Sequence, residues 1–457
     1  MLKLTKSSFL MKVARNGERP IRETILLFFV LAIALSIRLV YLDQVPTNVM
    51  PDEADNMVDA YHILTGTGPD LIGLDWTQLP ALNVHIMAFF LRFTGLTVVG
   101  MRMAVVVTST LALLLFYLLA RRIVEPVPAL LSTLMFATSL WYLNFSRTAW
   151  SNVHVVLFEL LAIYFLVRAL DRQKWYLYIL AGGGIALTLY GYYAGRATMV
   201  AVMAYLPIAL YLHRGKLRST LAGFALMLAV AFLLFQPQLE LFLEDWEYTN
   251  RRVESVSIFH QKEPYLGETD PARLLALQTE RMLRGFLLLD GSVFQTPRYT
   301  PSGSPPVDYA TGMLYLAGLL IGLMMLRHTA LWYLLLFVPL IITQVFSIYT
   351  PDSGRAIVVT PAIYLFVAVA LQLIWRSLGN SRLKSIPIAL AIAVAAFNIW
   401  WYFDWAVRPE TAKARQPAVE YAEFERWQEL QMERALKGEP GFTVHEWHKM
   451  RQTDLSR

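Results

Sequence analysis

Two adjacent carboxylates, Asp52 and Glu53, stand in the stretch Met50-Pro51-Asp52-Glu53-Ala54-Asp55-Asn56, just after a long apolar run from Ile25 to about Leu42. A carboxylate placed there can take a proton from an acceptor hydroxyl. Ala54, Met57, Val58, Tyr61 and Leu64 follow at helical spacing. The pattern predicts a helix lying along a membrane surface with the acidic pair at its start. The same acids would also complement the positive end of that helix without doing chemistry. The local sequence leaves both readings open.

Arg102, Arg147, Tyr192, Tyr193, Arg196 and Arg355 stand at the ends of other apolar runs, on the same predicted side as Asp52 and Glu53. The planar guanidinium fork suits phosphate oxygens. A phosphate carried on a lipid would lie at that depth, with its chain in the bilayer. The set therefore holds a base, phosphate clamps and access from the membrane, the minimum for moving a sugar from a lipid phosphate. Each residue also has a plainer reading. An interfacial arginine can be a snorkelling anchor. Arg147, in Asn144-Phe145-Ser146-Arg147-Thr148-Ala149-Trp150, can mark the interface together with Trp150, and the tyrosine pair can belong to an aromatic belt. Glu159, inside an apolar run, is the best single residue for a transporter or flippase of a lipid-linked glycan. His85, His154 and His260 are scattered, so no metal ligand is assigned and no cofactor is identified; a divalent metal is compatible but not assignable.

The elements that must position these groups are membrane spans. The chain has 457 residues, 56% hydrophobic and 16% charged, with no cysteine. Disulfides and cysteine-ligated metals are thereby excluded. Apolar runs predict about eleven spans, at about 25–42, 103–120, 127–143, 153–167, 176–190, 198–212, 221–235, 313–326, 331–348, 356–375 and 386–403. The segment 81–93 is read instead as a second surface helix. On that topology the tail and loops assigned to the cytoplasm hold 18 Lys/Arg and 4 Asp/Glu, leaving 22 basic and 30 acidic residues for the rest. The bias has the sign of the positive-inside rule; a crossing at 81–93 would move Arg121-Arg122, Arg168–Lys174 and Arg214–Arg218 outside. The net charge of +6 is thus explained by loop sidedness, and no nucleic-acid partner is inferred. The N-terminus carries no cleavable signal pattern, so the first helix is expected to remain as an anchor.

The predicted fold is an all-α polytopic bundle over 1–405, with a first outer loop at 43–102 and a long outer loop at 238–309. That long loop has the length of a functional lid or binding loop. A short charged tail outside the cytoplasm follows at 406–457, with a helix expected over about 418–436.

Four stretches carry a resemblance. They are Pro51-Asp52-Glu53-Ala54 with Ala60–Gly66; Leu79-Pro80-Ala81-Leu82 with Phe93-Thr94-Gly95 and Arg102; Leu189–Arg196; and Ser353–Ala362. In this order and sidedness the chain resembles the GT-C superfamily of membrane glycosyltransferases. Within it, the chain is most similar to family 39 protein mannosyltransferases and their bacterial relatives, including lipid A aminoarabinose transferases. The resemblance implies a polyprenyl-phosphate sugar donor, a glycan, lipid or protein acceptor, transfer outside the cytoplasm of a bacterial inner membrane, and inversion at the anomeric carbon. By motif, Asp52 would be the base and Glu53 its neighbour, with Arg102, Arg196 and Arg355 on the donor phosphate. No large insert in the long loop and no large C-terminal domain is evident, which leaves the acceptor open.

Overall fold

The structure is a computed structural model, and it describes residues 21–415 apart from Trp76, Pro297 and Asn380. The tail before residue 21, expected in the cytoplasm, and the helix expected over 418–436 lie outside the described residues. Every described element of regular structure is helical. In chain order, α1 (Ile21–Leu39) leads to α2 (Pro51–Thr65), α3 (Leu82–Thr94) and α4 (Val98–Ala120). Then come α5 (Pro126–Thr138), the short α6 (Leu140–Phe145), α7 (His154–Arg172), α8 (Trp175–Gly191), α9 (Gly195–Leu212) and α10 (Leu217–Glu244). The chain continues with α11 (Trp246–Val256), α12 (Pro271–Phe286), α13 (Tyr309–Leu323) and α14 (Leu326–Leu340), and ends with α15 (Thr360–Ser377), α16 (Ser385–Ala406) and α17 (Pro409–Arg415).

Seven helices are long and apolar enough to cross a bilayer: α4, α7, α9, α10, α14, α15 and α16. Shorter apolar helices, α5, α8 and α13, fill the remaining predicted positions. α1, at the first predicted position, carries Arg22, Glu23 and Arg38. α15 lies at the centre, with 89% of its apolar window buried; α10 and α16 are buried over only 28% and 33%. Their exposed Phe232, Leu233, Leu390 and Ile392 face outward, which in this composition means toward lipid tails. Close crossings depend on missing side chains. A Cβ at Gly318 on α13 would stand 1.8 Å from the Phe366 carbonyl oxygen of α15, so glycine lets the two backbones touch.

The structure departs from the predicted boundaries in two places. The span read as 127–143 is broken: extended backbone at Ser139 (ψ 127°) ends α5 and starts α6. The long outer loop is also not loop throughout. α10 runs on to Glu244 across Pro237, and α11 and α12 follow. This excursion docks on the segment before α15. Ile258 N donates to Phe346 O (3.2 Å), Ile348 N to Val256 O (2.9 Å), and Gln278 Nε2 to Ser347 O (2.6 Å).

The segment expected to lie on the surface is α3, of 13 residues. At about 1.5 Å per residue it is roughly 20 Å long, short of the ~30 Å hydrocarbon layer. It packs on α2 and α4, and Phe89 and Phe93 are exposed. Because the chain has no cysteine, a single Arg92→Cys or Thr97→Cys gives a clean topology probe. Both should react with an impermeant thiol reagent added outside intact cells. Labelling only after permeabilisation would overturn the sidedness of α2 and α3 together.

Candidate active site

The acidic pair does start a helix, but its two members do different things. Met50 caps α2 with no side-chain acceptor, and Pro51 opens it. Glu53, at the third helical position, turns back so that Met50 N donates to its Oε2 (3.3 Å). It is fully buried. Arg102 on α4 grips it with two bonds, Nε to Oε1 at 2.9 Å and Nη2 to Oε2 at 3.2 Å. Ala149 N donates to Oε1 (2.9 Å), and Arg415 Nη2 reaches Oε2 (3.4 Å). Burial alone would push this carboxyl up; Arg102 and Arg415 outweigh it and hold it below the usual carboxylate range. Glu53 has no lone pair to spare for substrate.

Arg102 is occupied as well. Its Nη1 donates to the carbonyls of Leu42 (2.9 Å) and Pro46 (3.4 Å), and its Nη2 to Asn48 O (3.3 Å). Arg147 likewise donates to the carbonyls of Val40 (2.7 Å), Tyr41 (3.3 Å) and Val45 (2.7 Å), with Ile37 O as a further acceptor. Its guanidinium carbon stands 5.0 Å from the Phe403 ring centre. These two arginines spend their donors on the backbone between α1 and α2, which they hold in shape. In this structure neither turns a guanidinium fork toward a ligand.

Asp52 is different. It is half-buried and forms no ion pair with a described residue. Burial pushes its carboxyl up, against the pull of Arg298 and, more weakly, Arg252. The buried Trp150 indole N–H stands beside it, outside hydrogen-bond geometry with any acceptor. Arg298 belongs to the long outer loop and lies over the Tyr299 ring at 4.9 Å. Tyr299 packs in turn on Trp150 (5.0 Å) and Phe145 (5.5 Å), and its hydroxyl is pushed up by burial. Gly354 fits against that ring because a Cβ would come within 3.1 Å of it.

Arg355 approaches from the segment before α15. Its Nη1 donates to Ser347 Oγ (2.8 Å) and Ile348 O (2.7 Å), and its Nε lies 3.8 Å from Asp352 Oδ2. Its Nη2 has no partner among the described residues. Trp141 Nε1 fixes Ser353 O (3.0 Å) and Asn152 Nδ2 fixes Gly354 O (3.1 Å). Tyr192, pushed up by burial, lies in the fields of Arg355, Asp352, Arg252 and Asp52. Tyr193, pushed up to about 12 by burial, carries Arg196 4.8 Å over its ring, and Phe242 faces the same guanidinium at 5.3 Å. The tyrosine pair therefore links Arg355 to Arg196.

Of the predicted site residues, Asp52, Arg355, Tyr192, Tyr193 and Arg196 gather in one region, while Glu53, Arg102 and Arg147 form the frame beneath it. Sequence reasoning missed Arg298, Arg252, Trp150 and Asn144. The stretch Asn144–Trp150, which could pass for an interface marker, is buried throughout. Asn144 Nδ2 holds the carbonyls of Arg298 (3.2 Å) and Tyr299 (3.0 Å), while its Oδ1 accepts from Arg415 (3.1 Å). The Pro-rich run around Arg298 was the one available signal. Glu159 is buried in α7 and accepts from Thr198 Oγ1 of α9 (3.2 Å). Among the described residues no three His, Asp or Glu side chains converge on a metal-sized site.

The same arrangement of helices recurs in known structures. The apo form of ArnT from Cupriavidus metallidurans superposes with a TM-score of 0.58 at 13% identity, over 86% of this chain and 78% of that one. The chain has the GT-C fold. The same ArnT bound to undecaprenyl phosphate gives 0.55 at 15% identity, with the same coverage. The Archaeoglobus fulgidus oligosaccharyltransferase, in complex with Zn and sulfate, gives 0.56 at 14%, over 88% of this chain and 55% of that one. Residues 79–240 match the family model described as dolichyl-phosphate-mannose-protein mannosyltransferase. That match includes Arg102, Asn144–Trp150 and Arg196; Asp52, Arg298 and Arg355 lie outside it. No curated protein matches the chain in sequence.

Proposed function

We propose that this protein is an integral membrane glycosyltransferase that moves a sugar from a polyprenyl-phosphate donor to an acceptor outside the cytoplasm, with inversion and with Asp52 as general base. The observation that carries the reading is the contrast between neighbours. Glu53 is saturated by Arg102, Arg415 and Ala149, whereas Asp52 stands unpaired, raised by burial, in a region with Arg298, Arg252 and Arg355. In the proposed step the acceptor hydroxyl oxygen forms a bond to the anomeric carbon as its proton passes to Asp52. The bond from that carbon to the phosphate oxygen breaks on the opposite face, and polyprenyl phosphate leaves with the electron pair. Arg298 and the free Nη2 of Arg355 would stabilise the departing charge. Arg196, with Tyr192 and Tyr193, would line the approach. The membrane would be the bacterial inner membrane, with the N-terminus cytoplasmic.

The test is incubation of the purified protein in nanodiscs with a panel of polyprenyl-phosphate sugars and candidate glycan, lipid and protein acceptors. Transfer should release free polyprenyl phosphate. Movement of an intact lipid-linked glycan across the bilayer without release would establish the transporter reading instead.

The phosphate role is tested separately by donor binding. Arg298→Ala and Arg355→Ala should each weaken it about tenfold or more, since a hydrogen bond to a charged group is worth about 1.5–3 kcal/mol. Lysine should rescue only partly, because it lacks the planar fork. Unaltered affinity in both alanine variants would remove these arginines from the phosphate. Arg298 is the cleaner probe, since Arg355 also holds Ser347 and Ile348.

A further inference from the structure

At the end of the bundle opposite Asp52, the C-terminal ends of α4, α7 and α9 and the start of α14 surround a cavity of about 780 Å³. α4 packs on α7 and α9 packs on α14, and the cavity lies between these two pairs. Six cations line it: Arg121, Arg122, Arg168, Arg172, Lys216 and Arg327. Asp171 is the one acid in the lining, and it is taken by Arg122. Arg121 is taken by Glu23 at 2.9 Å, and Arg168 bonds the Tyr164 hydroxyl and lies over its ring at 5.2 Å. Arg172, Lys216 and Arg327 have no acidic or hydrogen-bonding partner among the described residues.

Two histidines feel this charge without adding to it. His213 lines the same space, and burial together with Lys216 and Arg327 lowers its pKa. His328 stands beside Arg327. Cations that converge on one concave space repel each other, and such a space focuses a positive potential on whatever enters it. The deeper wall is apolar and aromatic, with Leu118, Val167, Tyr205, Leu331 and Trp332. Positive rim and apolar depth together ask for an anion that carries hydrocarbon. The volume is that of a ligand pocket.

We propose that this cavity binds the phosphate headgroup of an acidic phospholipid, with the start of its acyl chains against the apolar wall. Basic pockets between spans are suited to such headgroups. Arg172, Lys216 and Arg327 are the residues with donors free to hold the phosphate, and Arg168 is poised to turn from Tyr164. The site is separate from the Asp52 region and does not depend on the proposed transferase reaction.

The experiment is native mass spectrometry of the full chain released from nanodiscs of phosphatidylcholine containing a minor share of phosphatidylglycerol or cardiolipin. The wild type should retain one acidic lipid in preference to phosphatidylcholine. The triple variant Arg172→Ala/Lys216→Ala/Arg327→Ala should lose that lipid, with at least tenfold weaker retention. A control triple, Arg214→Ala/Arg218→Ala/Arg382→Ala, removes exposed cations that do not line the cavity and should retain it. Equal loss in both triples assigns binding to general surface charge and overturns the site. Equal retention in all three proteins overturns it as well. A third arm adds inorganic phosphate or pyrophosphate during thermal unfolding in detergent. Protection by acidic lipid but not by these soluble anions is expected; equal protection by soluble phosphate overturns the lipid as the source of the headgroup.

Discussion

Asp52→Asn should lower single-turnover sugar transfer by roughly 10²–10⁴-fold, the usual range for loss of a general base. The variant keeps the shape of the side chain and removes the basic oxygen. Donor affinity should change little, because the prenyl chain and the arginines supply most of it. Stability should not fall. A carboxyl whose folded pKa is raised costs stability as pH rises above its ordinary unfolded value, in full once pH exceeds the folded pKa, and Asp52 is raised by burial; the neutral amide escapes that cost. The same shift sets the pH profile. Base catalysis needs the ionised form, so activity should fall as pH drops through the folded pKa of Asp52, at a pH above the ordinary 3.8 of an aspartate. The helix-start alternative gives the opposite result. Asparagine serves nearly as well as aspartate at a helix start, so Asp52→Asn would be almost silent. Full activity in that variant would retire the mechanism.

Glu53→Ala should instead fail as a protein. It removes the acceptor from two buried guanidiniums, Arg102 and Arg415, and from the Ala149 N–H. All three side chains are at most 1% exposed, so solvent screening gives little relief. Breaking one partner out of a buried ion pair costs about 3–5 kcal/mol. The expected readout is a large drop in thermal stability in detergent, with poor recovery of folded protein, and transfer lost in proportion to folded protein. Glu53→Gln should fall between, because it keeps an acceptor but not the charge. The pH behaviour follows from its lowered pKa. The stabilisation is present above the ordinary value of 4.5 and is lost as pH falls through the lower folded value. If Glu53→Gln were as stable as wild type yet lost transfer completely, Glu53 would move from the frame into the chemistry.

The sequence by itself determined the class of the fold. Span length, charge asymmetry and turn-rich breaks are local properties set by the bilayer, and a bilayer acts on each segment separately. The short length of 81–93 and the Lys/Arg bias of the loops set α3 apart from the spans as an expectation that the thiol labelling tests. Asp52 came forward as the base only through the resemblance, because the local sequence serves a helix start equally well. What the sequence could not do was divide labour among neighbours. Asp52 and Glu53 are adjacent, and their roles diverge because a helix turns successive side chains about 100° apart. One then faces Arg102 and Arg415, the other Arg298 and Trp150. Arg102 and Arg147 looked as suitable for phosphate as Arg355, since an arginine's sequence context does not say whether its donors are spent on backbone carbonyls. Arg298 comes into the field of Asp52 because the outer loop docks across more than 150 residues of chain on Asn144 and Gly354, while Trp150 reaches Asp52 from the segment before α7. Arg415 joins Glu53 across a separation of 362 residues. Such contacts are set by packing of distant segments, and no local pattern encodes them.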